Sequence, residues 1–600
     1  MPHINASKTK PNYDVIIVGS GAAGGQTAYT LSMEGVKVLM LEAGRDYDPV
    51  RETPMFNTTE RAPLRGASTP DKPFGYYDAT IDGGWKVPGE PYTNASKRPE
   101  DEFFWWRTRM LGGRTNHWGR ISLRNGPYDF KPYSRDGLGF DWPISYEDLA
   151  PYYDRVESLI GVFGSNESME NTPNSPEGIL LPPPKARAAE LYARKHGKKL
   201  GIPIVPIHRA VLSTRLNSKK IPRWLHPNNH RAQEILAKEM DLRMACFWAT
   251  MCGRGCSIKA NYQSTTVHLP PALATGNLDI ITNAMARTVE TDSSGRAAGV
   301  NFVDKTTGLD YSVKGRIVVL AAGALESVRI MLNSQSIHHP GGIGNSSGKV
   351  GKYIMDTVGG HVTGQIPALE NIPPHNEVGA GGSHVYAPWW LYKEQHAGKL
   401  DFPRGYHLEM QGSRGETSIG SFDSLEGLTK GSYGNRLKKE ARRYYGSHVG
   451  YAGRGEMIPN DDCFAEIDPQ VKDKWGIPVL KFHWKWAEPE IRQAAHMHKT
   501  FAELIVAQGG TVTSKIDPTG KQAIYNGGQI IHEVGGTIMG GNPKNSVTNQ
   551  FSQTWDVPNL FITDGGPFCS NADKNPTLTI MALAWRASDY MMDEMKKRNI

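Results

Sequence analysis

Residues 13–42 restrict this chain more than any other stretch, because they admit little besides a nucleotide-type α/β unit. Asp14-Val15-Ile16-Ile17-Val18 reads as a buried strand. Gly19, Gly21 and Gly24 punctuate a turn into a helix, and Lys37-Val38-Leu39-Met40-Leu41 reads as a second strand ending at Glu42. A bare G-x-G-x-x-G is weak; strand, helix and strand in register give it meaning. Gly19 allows a tight turn, Gly21 lets the backbone approach a pyrophosphate, and Gly24 lets the helix pack close to the strand. The helix start offers N–H groups and a positive dipole end to phosphate. Glu42, 18 residues past Gly24, stands near the position where a carboxylate takes the ribose hydroxyls of an adenosine.

Six hundred residues exceed a single core, so two or more lobes are expected. A net charge of +7 over that length, without a basic stripe interleaved with aromatics, gives no ground for nucleic-acid binding. The best apolar run, residues 317–325, is too short for a membrane span. The first ten residues are polar, so the chain is expected to carry no secretion signal of its own. Five cysteines are too few to staple a protein of this size, and three of them crowd into 246–256, which points to metal or redox chemistry.

Residues 50–100 lose periodicity and read as a long ordered excursion held by Phe74, Tyr76, Tyr77, Trp85 and Tyr92. Gly112-Gly113, followed by Asn116-His117-Trp118, permits a backbone close to a flat ligand; the rival reading is an ordinary turn with a buried tryptophan. A helix capped by Ser145 is predicted over 145–161, with Tyr152, Tyr153, Val156, Leu159 and Ile160 at helical spacing, and another over 186–200. Cys246, Cys252 and Cys256 follow C-x5-C-x3-C, and Gly253 and Gly255 let the chain wrap a soft-metal centre. No histidine stands at a zinc-finger spacing, and a four-thiolate cluster is one ligand short, since Cys463 and Cys569 are distant. A three-iron cluster, a fourth ligand from elsewhere and plain buried cysteines all remain open.

Residues 278–282 and 298–303 are expected to pair through a turn at 293–295, and 316–324 reads as a buried strand meeting a glycine before a helix. These return the chain to the nucleotide-binding unit. Residues 356–529 suit a sheet roofing an active site, and Lys438, Lys439, Arg442 and Arg443 suit the solvated face of a helix. The chemistry gathers at the end, in His532 before Gly535-Gly536, in the strand leading to Asp564, and in Asn575-Pro576-Thr577 opening a final helix.

Together the fingerprint through Glu42, the 112–118 loop, the 318–324 strand and the 564–583 block resemble, in order, the glucose–methanol–choline (GMC) flavin oxidoreductases. The resemblance spans the chain, loosely in the middle. It implies a discontinuous Rossmann-type FAD-binding domain (12–135, 240–355 and 530–600) and a substrate-binding domain with a mostly antiparallel sheet (136–239 and 356–529). It makes His532 the active-site base and Asn575 its partner. Asp564 would hold the phosphate–ribitol region, and Asn575, Pro576 and Thr577 would border the isoalloxazine. Gly112, Gly113, Asn116, His117 and Trp118 would lie against the flavin, with covalent attachment at His117 left open. The cysteine spacing is similar to that of the catalytic subunits of bacterial FAD-dependent sugar dehydrogenases, glucose and glucoside 3-dehydrogenases included. This implies a [3Fe-4S] cluster on Cys246, Cys252 and Cys256, a small accessory subunit carrying the export signal, a cytochrome c acceptor and a periplasmic location, with the cytoplasm as the alternative.

The chemistry implied is proton loss from a sugar hydroxyl to His532 and hydride transfer to flavin N5, with Asn575 hydrogen-bonding the forming alkoxide. The favoured activity is oxidation at C3 of glucosides. One rival is a pyranose or glycoside oxidase that uses oxygen and has no cluster; another is a flavin-bearing electron carrier without turnover.

Overall fold

The computed structural model describes residues 4–53, 69–71, 82–248, 252–372, 384–412 and 429–600. Phe74, Tyr76 and Tyr77 lie outside these, whereas Trp85 and Tyr92 pack edge-on against Trp106 and Trp105. The strand Tyr13–Val18 is central to a seven-stranded sheet. It pairs in parallel with Val38–Leu41, placing Val15 opposite Val38, and with the end of Asp310–Leu320, placing Val15 opposite Ile317. Leu278–Ile281 continues the parallel array beyond Val38–Leu41, and Leu560–Ile562 joins the other side of Asp310–Leu320. These strands are apolar at nearly every position because both faces are covered. Ile16, Val18, Leu39 and Leu41 enter one core, while Val15, Ile17, Val38 and Met40 enter a second core with residues from the helices Ala22–Met33 and Thr577–Lys597.

One expected pairing is corrected. Leu278–Ile281 does not meet the strand Ala297–Asp304; it lies parallel to Val38–Leu41. The partners of Ala297–Asp304 are Ala284–Thr291, through the turn at 293–295, and the first half of Asp310–Leu320, both antiparallel. Asn283, at φ +57°, turns the chain sharply between 281 and 284 and sends two successive strands to different places. An apolar run announces burial, not which neighbour will bury it.

A second, six-stranded sheet is antiparallel throughout. Its order is Thr511–Val512, Val358–Gln365, His448–Gly455, Tyr406–Gln411, Val385–Ala387 and Val205–Pro206. The long helix Glu488–Ala507 lies on it, closely enough that a Cβ at Gly453 would come within 2.3 Å of Met497 Sδ, and one at Gly364 within 2.5 Å of Ile505. Gly360, Gly364, Gly453 and Gly455 thus mark helix contact, which is why the alternation of their strands reads as weak.

The predicted helices form. Tyr146–Ile160 is capped by Ser145, whose hydroxyl accepts from Asp148 N at 3.3 Å while the Asp148 carboxylate accepts from Ser145 N at 2.8 Å. Ala188–Gly197 runs on into a single tight turn at Lys198–Leu200. Gly434–Tyr444 buries none of its residues, as a solvated basic face requires. Among the described residues, no helix is long and apolar enough to cross a membrane.

Candidate active site

A cavity of about 550 Å³ runs from the glycine turn of the seven-stranded sheet to the antiparallel sheet. At the first end Gly19 takes φ +99°, where a Cβ would stand 2.4 Å from Ala321 O; a Cβ on Gly24 would stand 2.0 Å from Gly19 O. Both glycines are therefore compulsory for close packing. Gly21 has nothing within 4 Å of its would-be Cβ and opens on the cavity, where Ala22 and Ala23 present the first turn of the helix. That combination of free space and a helix N-terminus suits a pyrophosphate. Glu42 lines the same end. Its carboxylate accepts from Ser20 N at 3.0 Å, from the Ser20 hydroxyl and from Gly44 N at 2.6 Å, and burial raises its pKa. Arg109 closes this end, held by Glu90 at 2.7 Å and by Glu326.

Midway, Gly113, His117 and Trp118 form one wall, with Asp564, Pro576 and Thr577 on the cavity lining as well. His117 Nε2 meets the Thr108 hydroxyl at 2.8 Å, and Trp118 donates to Tyr262 O at 3.3 Å. Gly24, Gly112 and Asn116 do not line the cavity and shape it from behind. Gly112, at φ +87°, sits against Asn116, whose amide donates to Leu111 O at 2.8 Å. Asp564 accepts from Gly323 N at 3.1 Å, Ser327 Oγ at 2.5 Å and Gly566 N at 2.9 Å; burial pushes its pKa up to about 6.

At the far end His532 and Asn575, 43 positions apart, meet: Asn575 Nδ2 lies 3.3 Å from His532 Nε2. The other ring nitrogen, Nδ1, lies 2.9 Å from the Thr357 hydroxyl. An amide nitrogen can only donate, so Nε2 is the accepting nitrogen and Nδ1–H donates to Thr357. Burial, assisted by the Arg454 guanidinium, pushes the His532 pKa down to about 3, so the ring stays neutral with its lone pair toward the cavity. Glu409 accepts from Asn575 at 3.4 Å and pairs with Arg454 at 3.3 Å. Burial favours its neutral form, but Arg454 and His407 outweigh this and hold it well below the usual carboxylate range. A substrate hydroxyl between Asn575 and His532 would accept from the first and donate to the second.

Two family models, both described as GMC oxidoreductase, match this chain, at residues 239–357 and 459–584. The chain is a GMC oxidoreductase. It is an FAD-dependent enzyme acting on CH–OH groups of alcohol- or sugar-type substrates. It is 29% identical to a 2-methyl-1,2-propanediol dehydrogenase of Mycolicibacterium austroafricanum, over 96% of this chain and 95% of the relative. It is 27% identical to the fructose dehydrogenase large subunit of Gluconobacter japonicus, over 97% and 98%. A solved structure of the Aspergillus oryzae formate oxidase superposes with a TM-score of 0.61 at 15% identity, covering 98% of this chain and 99% of that one, and so shares the fold.

In this GMC enzyme several cavity residues escape sequence reasoning. Glu409 and Arg454 come from two neighbouring strands of the antiparallel sheet, where Leu408 faces Gly453 and Glu409 faces Ala452. Thr357 immediately precedes another strand of that sheet, and Arg114 crosses the cavity wall to Glu533 at 2.5 Å. The only local signal was His407-x-Glu409, two polar groups on one face of a strand.

Cys246, Cys252 and Cys256 line a second, much smaller cavity of about 10 Å³, together with Trp248 and Asn261. Trp248 N donates to Cys246 Sγ and Ala260 N to Cys256 Sγ, both at 3.3 Å. Cys463 and Cys569 lie elsewhere and donate to Lys485 O and Met539 O. The Arg120 guanidinium lies near Cys252 and Cys256, and that of Arg243 near Cys256. Arg120 donates to Cys252 O at 2.7 Å and Asn116 O at 2.8 Å; Arg243 donates to Ile160 O at 2.7 Å and Lys259 O at 3.2 Å. Among the described residues both are buried and bond carbonyl oxygens, with no carboxylate paired to either. Gly253, between two of the cysteines, also forms part of the larger cavity's wall.

Proposed function

We propose that this enzyme oxidises a hydroxyl of a sugar or glycoside, with C3 of glucosides favoured, and passes the electrons through a [3Fe-4S] cluster to a cytochrome c. The observation that carries the reading is the pair His532 and Asn575, fixed from behind by Thr357 and Glu409 at one end of the cofactor cavity. His532 Nε2 takes the hydroxyl proton, and the Asn575 amide steadies the oxygen as its charge grows. FAD, when bound, accepts the hydride. Gly19, Gly21, Gly24 and Glu42 hold its adenosine diphosphate portion, while Asp564, Pro576, Thr577, His117 and Trp118 border the remainder. Arg454 and Glu409 offer a donor and an acceptor to further hydroxyls of a sugar ring.

Two features of the thiol pocket support the cluster. The Cys246 and Cys256 sulfurs receive backbone N–H groups, and the buried guanidinium groups of Arg120 and Arg243 lie near Cys252 and Cys256, which suits a resident anion. The three thiols are also not the compact set a single ion needs. Among the described residues only Asp129, Glu456 and Asp573 have ligand atoms all within 4.8 Å of one another, and the Lys574 ammonium contacts that set, 3.1 Å from Asp129. When bound, the cluster would relay electrons singly. The Gluconobacter relative, named a large subunit, supports an accessory subunit here, with export to the periplasm on that subunit's signal.

The test is anaerobic. Visible and EPR spectra and iron content are recorded on the purified enzyme. Flavin bleaching is then followed with glucose, methyl glucoside, fructose and 2-methyl-1,2-propanediol. Bleaching by a sugar together with a three-iron EPR signal is expected. Protein without iron removes the relay, and bleaching only by the diol removes the sugar assignment.

A further inference from the structure

Ile531, immediately before the base, holds a backbone conformation its side chain disfavours. Its φ is +64°, in the left-handed region that β-branched residues rarely occupy. The N–H groups on either side of it converge on one carboxylate. Ile530 N donates to Asp356 Oδ2 at 3.2 Å, and His532 N donates to Asp356 Oδ1 at 3.0 Å. Thr357 N adds a third bond to Oδ1 at 2.9 Å. Asp356 is fully buried, and among the described residues no cation lies within 4 Å of it, so backbone amides alone engage it. Its sequence neighbour Thr357 accepts a hydrogen bond from His532 Nδ1–H. The two segments are also fastened by a reciprocal backbone pair, Met355 N to Val534 O at 2.9 Å and Val534 N to Met355 O at 3.0 Å. Two adjacent residues therefore grip His532 twice, one by the backbone and one by the ring.

We propose that Asp356 is a positioning residue for the base: its carboxylate holds the left-handed bend at Ile531 and so aims the His532 imidazole at Asn575 and the cavity. The proposal rests on the reading of His532 as the base and explains how that ring is kept in place. Successive N–H groups around a left-handed residue form a concavity suited to an anion. Here the acceptor is an internal carboxyl group, whose pKa burial and the Glu533 carboxylate push up to about 7 and whose oxygens accept the three N–H groups. Without it the bend is free to relax, and an imidazole displaced by about 1 Å loses on the order of a hundredfold in rate.

The experiment compares Asp356→Ala, Ile531→Gly, the double variant and His532→Ala as FAD-loaded enzymes. The readout is the anaerobic rate of flavin bleaching by the sugar of the panel that bleaches wild type fastest. FAD content and thermal unfolding are measured alongside. Asp356→Ala is expected to bleach about ten- to a hundredfold more slowly with FAD retained and the half-saturating sugar concentration little changed. Adding Ile531→Gly should recover most of the loss, because glycine adopts positive φ unaided. Should Asp356→Ala fail to fold, Asp356→Asn replaces it. Asparagine keeps one accepting oxygen but turns its amide toward an N–H, and the same recovery is expected. Bleaching by either Asp356 variant at the wild-type rate, or a deficit that Ile531→Gly leaves in place, overturns the proposal. His532→Ala bleaching like wild type would instead overturn the assignment of the base.

Discussion

Two cavities flank the 252–256 segment, Gly253 lining the larger and Cys252, Gly255 and Cys256 the smaller, and their buried cations are met differently. In the larger one Arg114 is paired with Glu533, Arg454 with Glu409, and Arg109 with Glu90 and Glu326, while Arg107 meets carbonyl oxygens and the faces of Tyr92 and Trp105. In the smaller one Arg120 and Arg243 face only carbonyl oxygens and the thiols. A buried charge is costly unless compensated, so the lack of a carboxylate beside Arg120 and Arg243 among the described residues makes the smaller site a favourable place for negative charge.

The largest effect expected is in the larger cavity. His532→Ala should slow flavin bleaching by about 10²–10⁴-fold while FAD remains bound, checked by anaerobic stopped flow. Next, Asn575→Ala should slow it by about 10²–10³-fold, the scale of losing a donor to developing oxygen charge. Cys252→Ser should leave bleaching by sugar near wild type but reduce electron delivery to cytochrome c by about ten- to a hundredfold, with loss of iron. Equal damage to both half-reactions would erase the contrast between the sites. Arg120→Met should weaken iron retention by about tenfold and lower the cluster's reduction potential in an EPR-monitored titration. Unaltered iron and potential would leave Arg120 as a mechanical clamp between the 115–118 loop and Cys252. Smallest is Ser145→Ala, outside both walls, expected to cost about 1 kcal/mol in denaturant unfolding with both half-reactions unaffected.

Legibility in the sequence follows the range of the forces involved. The 13–42 unit was readable because its causes are local: an apolar strand, a glycine that a Cβ would drive into Ala321, and another that a Cβ would drive into Gly19. Ser145 announced its helix for the same reason, since a cap needs only the residue three positions on. His532 and Asn575 were legible through resemblance alone; no spacing rule brings residues 43 positions apart to 3.3 Å. What supports them was not legible. Thr357, Asp356, Glu409 and Arg454 arrive beside the base because the strands at 358–365, 406–411 and 448–455 pair as they do, with Gly360, Gly364, Gly453 and Gly455 pressed under one long helix. The misplacement of residues 278–281 has the same origin. By itself the sequence determined periodicity, turns and caps, which depend on neighbours a few residues away. The tertiary structure decided pairing and the geometry of the site, because register is settled by which distant surfaces bury each other.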